Sequence, residues 1–158
     1  MFLDCRERIS VTGFTDIQRA AMFYVLVKTG FGASLRTFGC NKKRLNTDNF
    51  ADIEARLDGV VIENKDFEDL IKVYDREKAL FYCDPPYHKT ERHYTVKFTE
   101  DDQVRLCRVL HQIKGRFVLS YNDDKYVRDL YKDYNIQAVT RNNSLSSGDF
   151  KEVIITNF

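Results

Sequence analysis

The second half of the chain alternates short apolar runs with stretches whose apolar residues recur at helical spacing. The runs predicted as strands are residues 60–62, 79–83, 117–119, 136–139 and 152–157. This alternation predicts an α/β fold with a mostly parallel sheet covered by helices, in which ligands bind beyond the carboxyl ends of the strands. The last two predicted strands have only a loop between them, so we expect them to form an antiparallel hairpin.

Capping residues indicate where the helices begin. Thr15 or Asp16 could cap a run of apolar residues at helical spacing, which predicts a helix over residues 16–28. A second helix should start near Asp66, and a third at Thr99, whose hydroxyl is a typical cap. A fourth helix should contain Tyr126. These helices supply the layers that cover the predicted sheet.

The composition is that of one cored domain, with 158 residues of which 43% are hydrophobic. The 25 Lys and Arg residues balance 24 Asp and Glu, so a nucleic-acid surface would have to be local. The four cysteines are widely spaced and lack partners at metal-ligand spacing, which indicates reduced thiols and no metal site. No apolar run approaches the roughly 20 residues of a membrane span, and the first residues do not form a signal peptide. We therefore expect a soluble cytoplasmic protein.

The only two prolines of the chain are adjacent, and they directly follow the apolar strand predicted over residues 79–83. They stand between an acid and an aromatic residue, in the sequence Asp84-Pro85-Pro86-Tyr87. Proline cannot donate a ladder hydrogen bond, so the strand must end here, where α/β folds place their sites. The alternative is a structural turn in which Tyr87 covers the core.

Methylation of the exocyclic amine of adenine would use these groups directly. The lone pair of that nitrogen is delocalised into the ring, so its alkylation needs acceptors that hold both amine protons. Asp84 can accept a hydrogen bond from one N–H of the amine and the carbonyl of Pro85 from the other, while the prolines keep that carbonyl rigid. Tyr87 offers a face on which a flipped base can stack, a contact worth about 1–3 kcal/mol. Ser120 and Asn122 end the next strand, where they could orient Asp84 or cap a helix.

This motif and its surroundings resemble the Dam-type DNA adenine-N6 methyltransferases. The other matching segments are residues 62–67, 120–123 and 144–158, in the order of that family. The resemblance implies a partial class I, Rossmann-like methyltransferase sheet, S-adenosylmethionine as cofactor, and direct methyl transfer to a flipped adenine in double-stranded DNA. It implies a DNA-recognition segment at residues 30–50 and a catalytic part at residues 58–158 of a single domain. The implied catalytic residues are Asp84, Pro85, Pro86 and Tyr87, and the implied cofactor-binding residues are Asp66, Phe67 and Asp84.

Two polar segments are candidates for DNA contact. The first lies in the predicted recognition segment, where basic side chains could bind phosphates and Asn41 could read a base edge. The second follows the motif and is equally compatible with a solvated loop. The candidate DNA-binding residues are Arg36, Asn41, Lys42, Lys43, Arg44, His88, Lys89 and Arg92.

The sequence departs from the family in one respect. It contains no aromatic-x-Gly-x-Gly cofactor loop on a first strand, and we interpret the chain as amino-terminally truncated. Strands that the family places next to the motif strand would then be missing, and an unpaired buried edge is costly. We expect this gap to be closed by rearranged pairing, by a second copy, or by a separate amino-terminal polypeptide. The alternative function is a catalytically incompetent remnant that binds DNA or a partner subunit. Methylation of RNA or of a protein amide is a third interpretation.

Overall fold

A computed structural model describes residues 1–31, 35–39, 50–89, 97–142 and 149–158 of the protein. The chain divides into two compact units, Met1–Ile62 and Glu63–Phe158. No helix within the described ranges is long and apolar enough to cross a membrane.

The first unit is helical. Its helices are α1 (Phe2–Arg8), α2 (Asp16–Thr29) and α3 (Phe50–Leu57). Helix α2 confirms the helix predicted over residues 16–28, and Thr15 forms a capping box with Gln18 at its start. Helices α1 and α3 were not predicted from the sequence.

Three further helices belong to the second unit, and each begins at a side-chain cap. Asp66 caps α4 (Phe67–Tyr74) and Thr99 forms a capping box at the start of α5 (Glu100–Gln112). Asp124 caps α6 (Lys125–Leu130). Each cap satisfies backbone N–H groups that a helix leaves without partners in its first turn. All three helices were predicted, and their positions agree with the sequence.

The second unit also contains a four-stranded mixed sheet. Its strands are β1 (Leu80–Cys83), β2 (Arg116–Asn122), β3 (Asn135–Asn142) and β4 (Asp149–Thr156), in the spatial order β1-β2-β4-β3. The α/β class and the antiparallel hairpin of β3 with β4 are confirmed. The prediction of a mostly parallel sheet was wrong, because of the three pairs in the described sheet only β1 with β2 is parallel. The last strand inserts between β2 and β3 and is antiparallel to both.

The core of this unit lies between the central strands and the helices. Phe117, Leu119 and Tyr121 alternate along β2 and are fully buried, as are Val153 and Ile155 of β4. Helix α5 packs its apolar face into the same cluster. The central strands therefore anchor the sheet, and their carboxyl ends have fixed positions.

Two strand predictions need correction. Residues 60–62 do not form a strand in the structure, and Val61 and Ile62 are 71% and 78% exposed. A β-branched composition makes a strand only where a neighbour completes the hydrogen-bond ladder, and no described strand pairs with this run. Strand β1 exists, but it is an edge strand, and Leu80 and Tyr82 are 62% and 68% exposed. The prediction that it is a buried strand was wrong for that face.

Candidate active site at the end of β1

The Asp-Pro-Pro-Tyr motif leaves the sheet at the carboxyl end of β1. Because β1 and β2 are parallel, their carboxyl ends lie at the same edge of the sheet. Asp84 is exposed there, and its Oδ1 accepts a hydrogen bond from Oγ of Ser120, on β2, at 2.9 Å. The carboxylate is thus oriented by the neighbouring strand and still open to solvent.

Asp84, Pro85 and Pro86 line one wall of a cleft of about 320 Å³. The rest of the lining is almost entirely apolar and comes from α4, β1, α5 and the segment before α5. Those residues are Phe67, Leu70, Ile71, Phe81, Tyr82, Cys83, Phe98 and Leu106. An apolar cleft with one carboxylate at its wall is typical of a site for a flat or partly apolar small molecule.

Amide side chains hold the backbone of the motif and of the residue that follows it. Nε2 of Gln103 on α5 donates to the carbonyl of Pro86 at 3.4 Å, and Nδ2 of Asn122 donates to the carbonyl of His88 at 3.2 Å. Within the described part of the chain, no hydrogen bond uses the carbonyl of Pro85. Pro85 itself lines the cleft beside Asp84.

Tyr87 lies next to the cleft, outside the residues that line it. Its hydroxyl donates to Oε1 of Glu152 at 3.2 Å, and its ring packs against Tyr121 with centroids 5.7 Å apart. Burial is the main cause that raises the pKa of Tyr87 to about 12, so the phenol is neutral at physiological pH. Tyr87 is therefore a fixed, uncharged aromatic group beside the Asp84 carboxylate.

Asp66 and Phe67 lie at the start of α4. Oδ1 of Asp66 accepts from the amide of Glu68 at 2.9 Å, which caps the helix. Asp66 also forms an ion pair with Arg105 of α5, and this pairing is the main cause that lowers the pKa of Asp66. The ring of Phe67 lines the cleft next to Phe98, with centroids 5.8 Å apart. The structure thus brings Phe67 and Asp84 to one cleft. Asp66 directly precedes Phe67 in the chain.

His88 and Lys89 have different surroundings. His88 is 6% exposed, its ring stacks on Tyr126 at 4.5 Å, and its Nδ1 lies 3.1 Å from Oδ1 of Asp124. Lys89 is exposed, and its Nζ lies 3.1 Å from Oδ2 of the same carboxylate. Of these two residues, Lys89 is the one whose side chain can reach a phosphate from the surface.

The other candidate DNA-binding residues are only partly described. Arg36 is exposed in the first unit, and its carbonyl accepts a hydrogen bond from Nη1 of Arg6 at 2.8 Å. The remaining candidates lie outside the described residues; they are Asn41, Lys42, Lys43, Arg44 and Arg92. Their contact with DNA stays a prediction.

Three residues near the site were not singled out from the sequence: Gln103, Arg105 and Glu152. Gln103 could have been found, because it is a polar residue on the apolar face of α5, at helical spacing from Leu106. Arg105 and Glu152 resemble ordinary surface charges of a helix and a strand in sequence. Their roles depend on which elements pack against them.

Comparisons with known proteins identify the family. A family model described as D12 class N6 adenine-specific DNA methyltransferase matches residues 8–145. The type II methyltransferase M1.LlaDCHI of Lactococcus lactis subsp. cremoris is 29% identical over 171 aligned positions, which cover 91% of this chain and 60% of that protein. The retron Ec67 DNA adenine methylase of Escherichia coli is 34% identical over 76 positions, or 44% of this chain and 27% of that protein.

The chain therefore spans about 60% of the length of the first of these relatives and 27% of the second. The family match covers the described motif, the cleft and the helices that surround it. This protein belongs to the D12 class of N6 adenine-specific DNA methyltransferases.

Proposed function

We propose that this chain carries the catalytic site of a site-specific DNA adenine-N6 methyltransferase, which transfers a methyl group from S-adenosylmethionine to a flipped adenine. The observation that carries the proposal is an exposed Asp84 carboxylate next to Pro85, whose carbonyl receives no hydrogen bond from a described residue, at the wall of an apolar cleft. These two acceptors match the two protons of the adenine amine.

The cleft fits the cofactor in its chemistry. An adenine ring needs a flat apolar surface, and Phe67 and Phe98 supply aromatic rings in the lining. Asp84 places a negative charge where a sulfonium group would gain from it. When bound, S-adenosylmethionine supplies an electrophilic methyl group. We assign Phe67 and Asp84 to direct cofactor contact, with Asp66 at the start of the same helix.

The motif then holds the target amine. Asp84 and the Pro85 carbonyl accept hydrogen bonds from its two N–H groups, which favours a pyramidal nitrogen with a usable lone pair. Once the methyl group is transferred, the nitrogen gives up one of these protons to solvent beside the exposed Asp84 carboxylate. Ser120 keeps the carboxylate in one orientation, so little order has to be imposed when substrate binds. We assign Tyr87 to stacking against the flipped base, and its contacts with Glu152 and Tyr121 keep the ring in place.

We assign the binding of DNA to the predicted recognition segment at residues 30–50 and to the exposed Lys89. Arg36 is exposed in that segment, which supports a phosphate contact. The buried His88 supports the loop that carries Lys89.

A further polypeptide strand is proposed for the open edge of β1. Among the described strands β1 pairs only with β2, so its other edge is open, and its Leu80 and Tyr82 side chains are exposed. An added strand would extend the sheet toward a class I methyltransferase arrangement. It would come from a second copy of the chain or from a separate amino-terminal polypeptide. Size-exclusion chromatography with light scattering would reject the second copy if the folded chain is a monomer at micromolar concentration.

The central test is methyl transfer by the chain and by an Asp84→Ala variant. Tritium transfer from labelled S-adenosylmethionine to DNA, with adenine N6 as the labelled position, is the expected result for the parent chain. The rate of methyl transfer by the variant should be at least about a thousandfold lower, because one of the two hydrogen-bond acceptors for the amine is gone. A variant that methylates as fast as the parent would remove Asp84 from the mechanism. If calorimetry detects no cofactor binding, with or without an added amino-terminal half, the chain is a non-catalytic remnant.

A further inference from the structure

Arg105 on α5 binds the first turn of α4 through several short contacts. Its Nη1 and Nη2 atoms lie 2.8 and 3.0 Å from Oδ1 and Oδ2 of Asp66. Nη2 also donates to Asp102 at 3.0 Å, and Nη1 makes a longer contact of 3.4 Å with Glu68. The pairing of the planar guanidinium with both carboxylate oxygens fixes an angle as well as a distance between the two helices.

The same guanidinium covers the ring of Phe67. Its central carbon lies 4.1 Å from the ring centroid, which is within the range of a cation–π interaction. Phe67 belongs to the lining of the cleft, whereas Arg105 does not. Arg105 therefore supports the ring from outside the cleft and leaves the apolar lining intact.

The Asp66 carboxylate is held by several hydrogen bonds. Both of its carboxylate oxygens accept from Arg105, and Oδ1 also accepts from the amide of Glu68. A carboxylate held in this way is directed at α5 and at the start of its own helix. Its neighbour Phe67 is the residue that presents a surface to the cleft.

We propose that Arg105 is a positioning residue for the cofactor, which holds the Phe67 ring in the orientation on which the adenine of S-adenosylmethionine stacks. Asp66 holds the guanidinium of Arg105 through both of its carboxylate oxygens. This inference rests on the proposed function, because it requires the cleft to be the cofactor site. It adds a residue of α5 to a site otherwise built from the motif and α4.

The test compares two equivalent substitutions on one helix. Arg105→Lys keeps the charge and removes the planar fork that spans Asp66 and Phe67. Arg108→Lys is the matched control, because Arg108 is 63% exposed and its contact with Glu68 is 3.9 Å long. Cofactor affinity is measured by calorimetry, fold stability by thermal melting, and the Phe67 ring by NMR of a phenylalanine-labelled chain.

Arg105→Lys should weaken the binding of S-adenosylmethionine about fivefold and raise its KM by the same factor, with kcat and the KM for DNA unchanged. The Phe67 ring resonance should shift in the free protein. Arg108→Lys should stay within twofold of the parent in every reading. Asp66→Asn should weaken cofactor binding to a similar extent, and combining it with Arg105→Lys should add little, because both act through one contact.

Three results overturn the inference, and they separate it from the proposed function. If the Phe67 resonance shifts but cofactor affinity does not change, Arg105 holds the ring without positioning the cofactor, and the proposed function stands. Equal losses of cofactor and DNA binding together with a lower melting temperature show a structural role alone. If the parent chain itself does not bind S-adenosylmethionine, the proposed function fails and this inference fails with it.

Discussion

Asp84 and His88 are four residues apart, and their side chains have opposite surroundings. The Asp84 carboxylate is exposed, lines a cleft and has one hydrogen bond from Ser120. The His88 imidazole is buried between the ring of Tyr126 and the carboxylate of Asp124. One polar residue of this short segment is available to a ligand, and the other holds the segment to the protein.

The different surroundings of Asp84 and His88 show how the segment after a short strand is held in place. Because β1 is an edge strand of four residues, it cannot alone fix the chain that follows it. His88 instead ties that chain to Asp124, which in turn caps α6. The Asp84 side chain is exposed, whereas the residue after the motif is anchored. Polar character alone does not distinguish the two roles.

The thiol that precedes Asp84 should be far less reactive than an ordinary cysteine. Burial raises the pKa of Cys83 to about 11, so the thiolate is only about a thousandth of the thiol at pH 8. A raised pKa means less thiolate at any given pH, and alkylation should be about a hundredfold slower than in the unfolded chain. Peptide mapping by mass spectrometry after timed iodoacetamide treatment measures this. Fast labelling of Cys83 in the folded chain would show that the strand end is open on both sides of Asp84.

His88→Ala should lower the free energy of unfolding by about 2 kcal/mol, because it removes a buried ring and leaves Asp124 without that partner. Chemical denaturation followed by circular dichroism measures the change. His111→Ala is the control, since His111 is exposed and contacts only the hydroxyl of Tyr134 among described side chains by hydrogen bond. Equal effects of the two substitutions would contradict an anchoring role for His88.

Ser120→Ala should reduce kcat/KM for methyl transfer about tenfold, with little change in stability. The hydroxyl orients the Asp84 carboxylate. A tenfold loss corresponds to about 1.4 kcal/mol, which is typical of a hydrogen bond to a charged group at a partly exposed site. The steady-state tritium assay measures the ratio. An unchanged ratio would mean that the backbone alone orients Asp84.

The smallest effect concerns the backbone of Lys89, which has a φ of 65° in the left-handed region. Lys89→Gly should be more stable than Lys89→Ala by roughly 0.5–1 kcal/mol, because glycine adopts this conformation without strain. Both variants lose the ion pair with Asp124, so the comparison isolates the backbone. Equal stabilities in urea denaturation would show that the turn after His88 is not strained.

Local signals predicted much of this fold. Thr15, Asp66 and Thr99 cap the helices that their sequence context indicates, because capping involves only neighbouring residues. The prediction failed where pairing is not local. Residues 60–62 have strand composition but no described partner, and the place of β4 between β2 and β3 is not encoded in chain order.

Local sequence signals likewise predicted only part of the candidate site. The motif at Asp84 and the contribution of Ser120 could be anticipated, since both follow predicted neighbouring strands. Arg105 could not, because its value comes from α4 lying against α5. The burial of His88 likewise depends on Tyr126 and Asp124, more than thirty residues further along the chain.

The most direct test is to determine which residues contact bound S-adenosylmethionine. Intermolecular nuclear Overhauser effects between the bound cofactor and the labelled chain would locate both ends of it. We predict contacts from the adenine ring to Phe67 and from the transferable methyl group to the Pro85 ring beside Asp84. Contacts that avoid this cleft, or a cofactor bound only by the first unit, would contradict it.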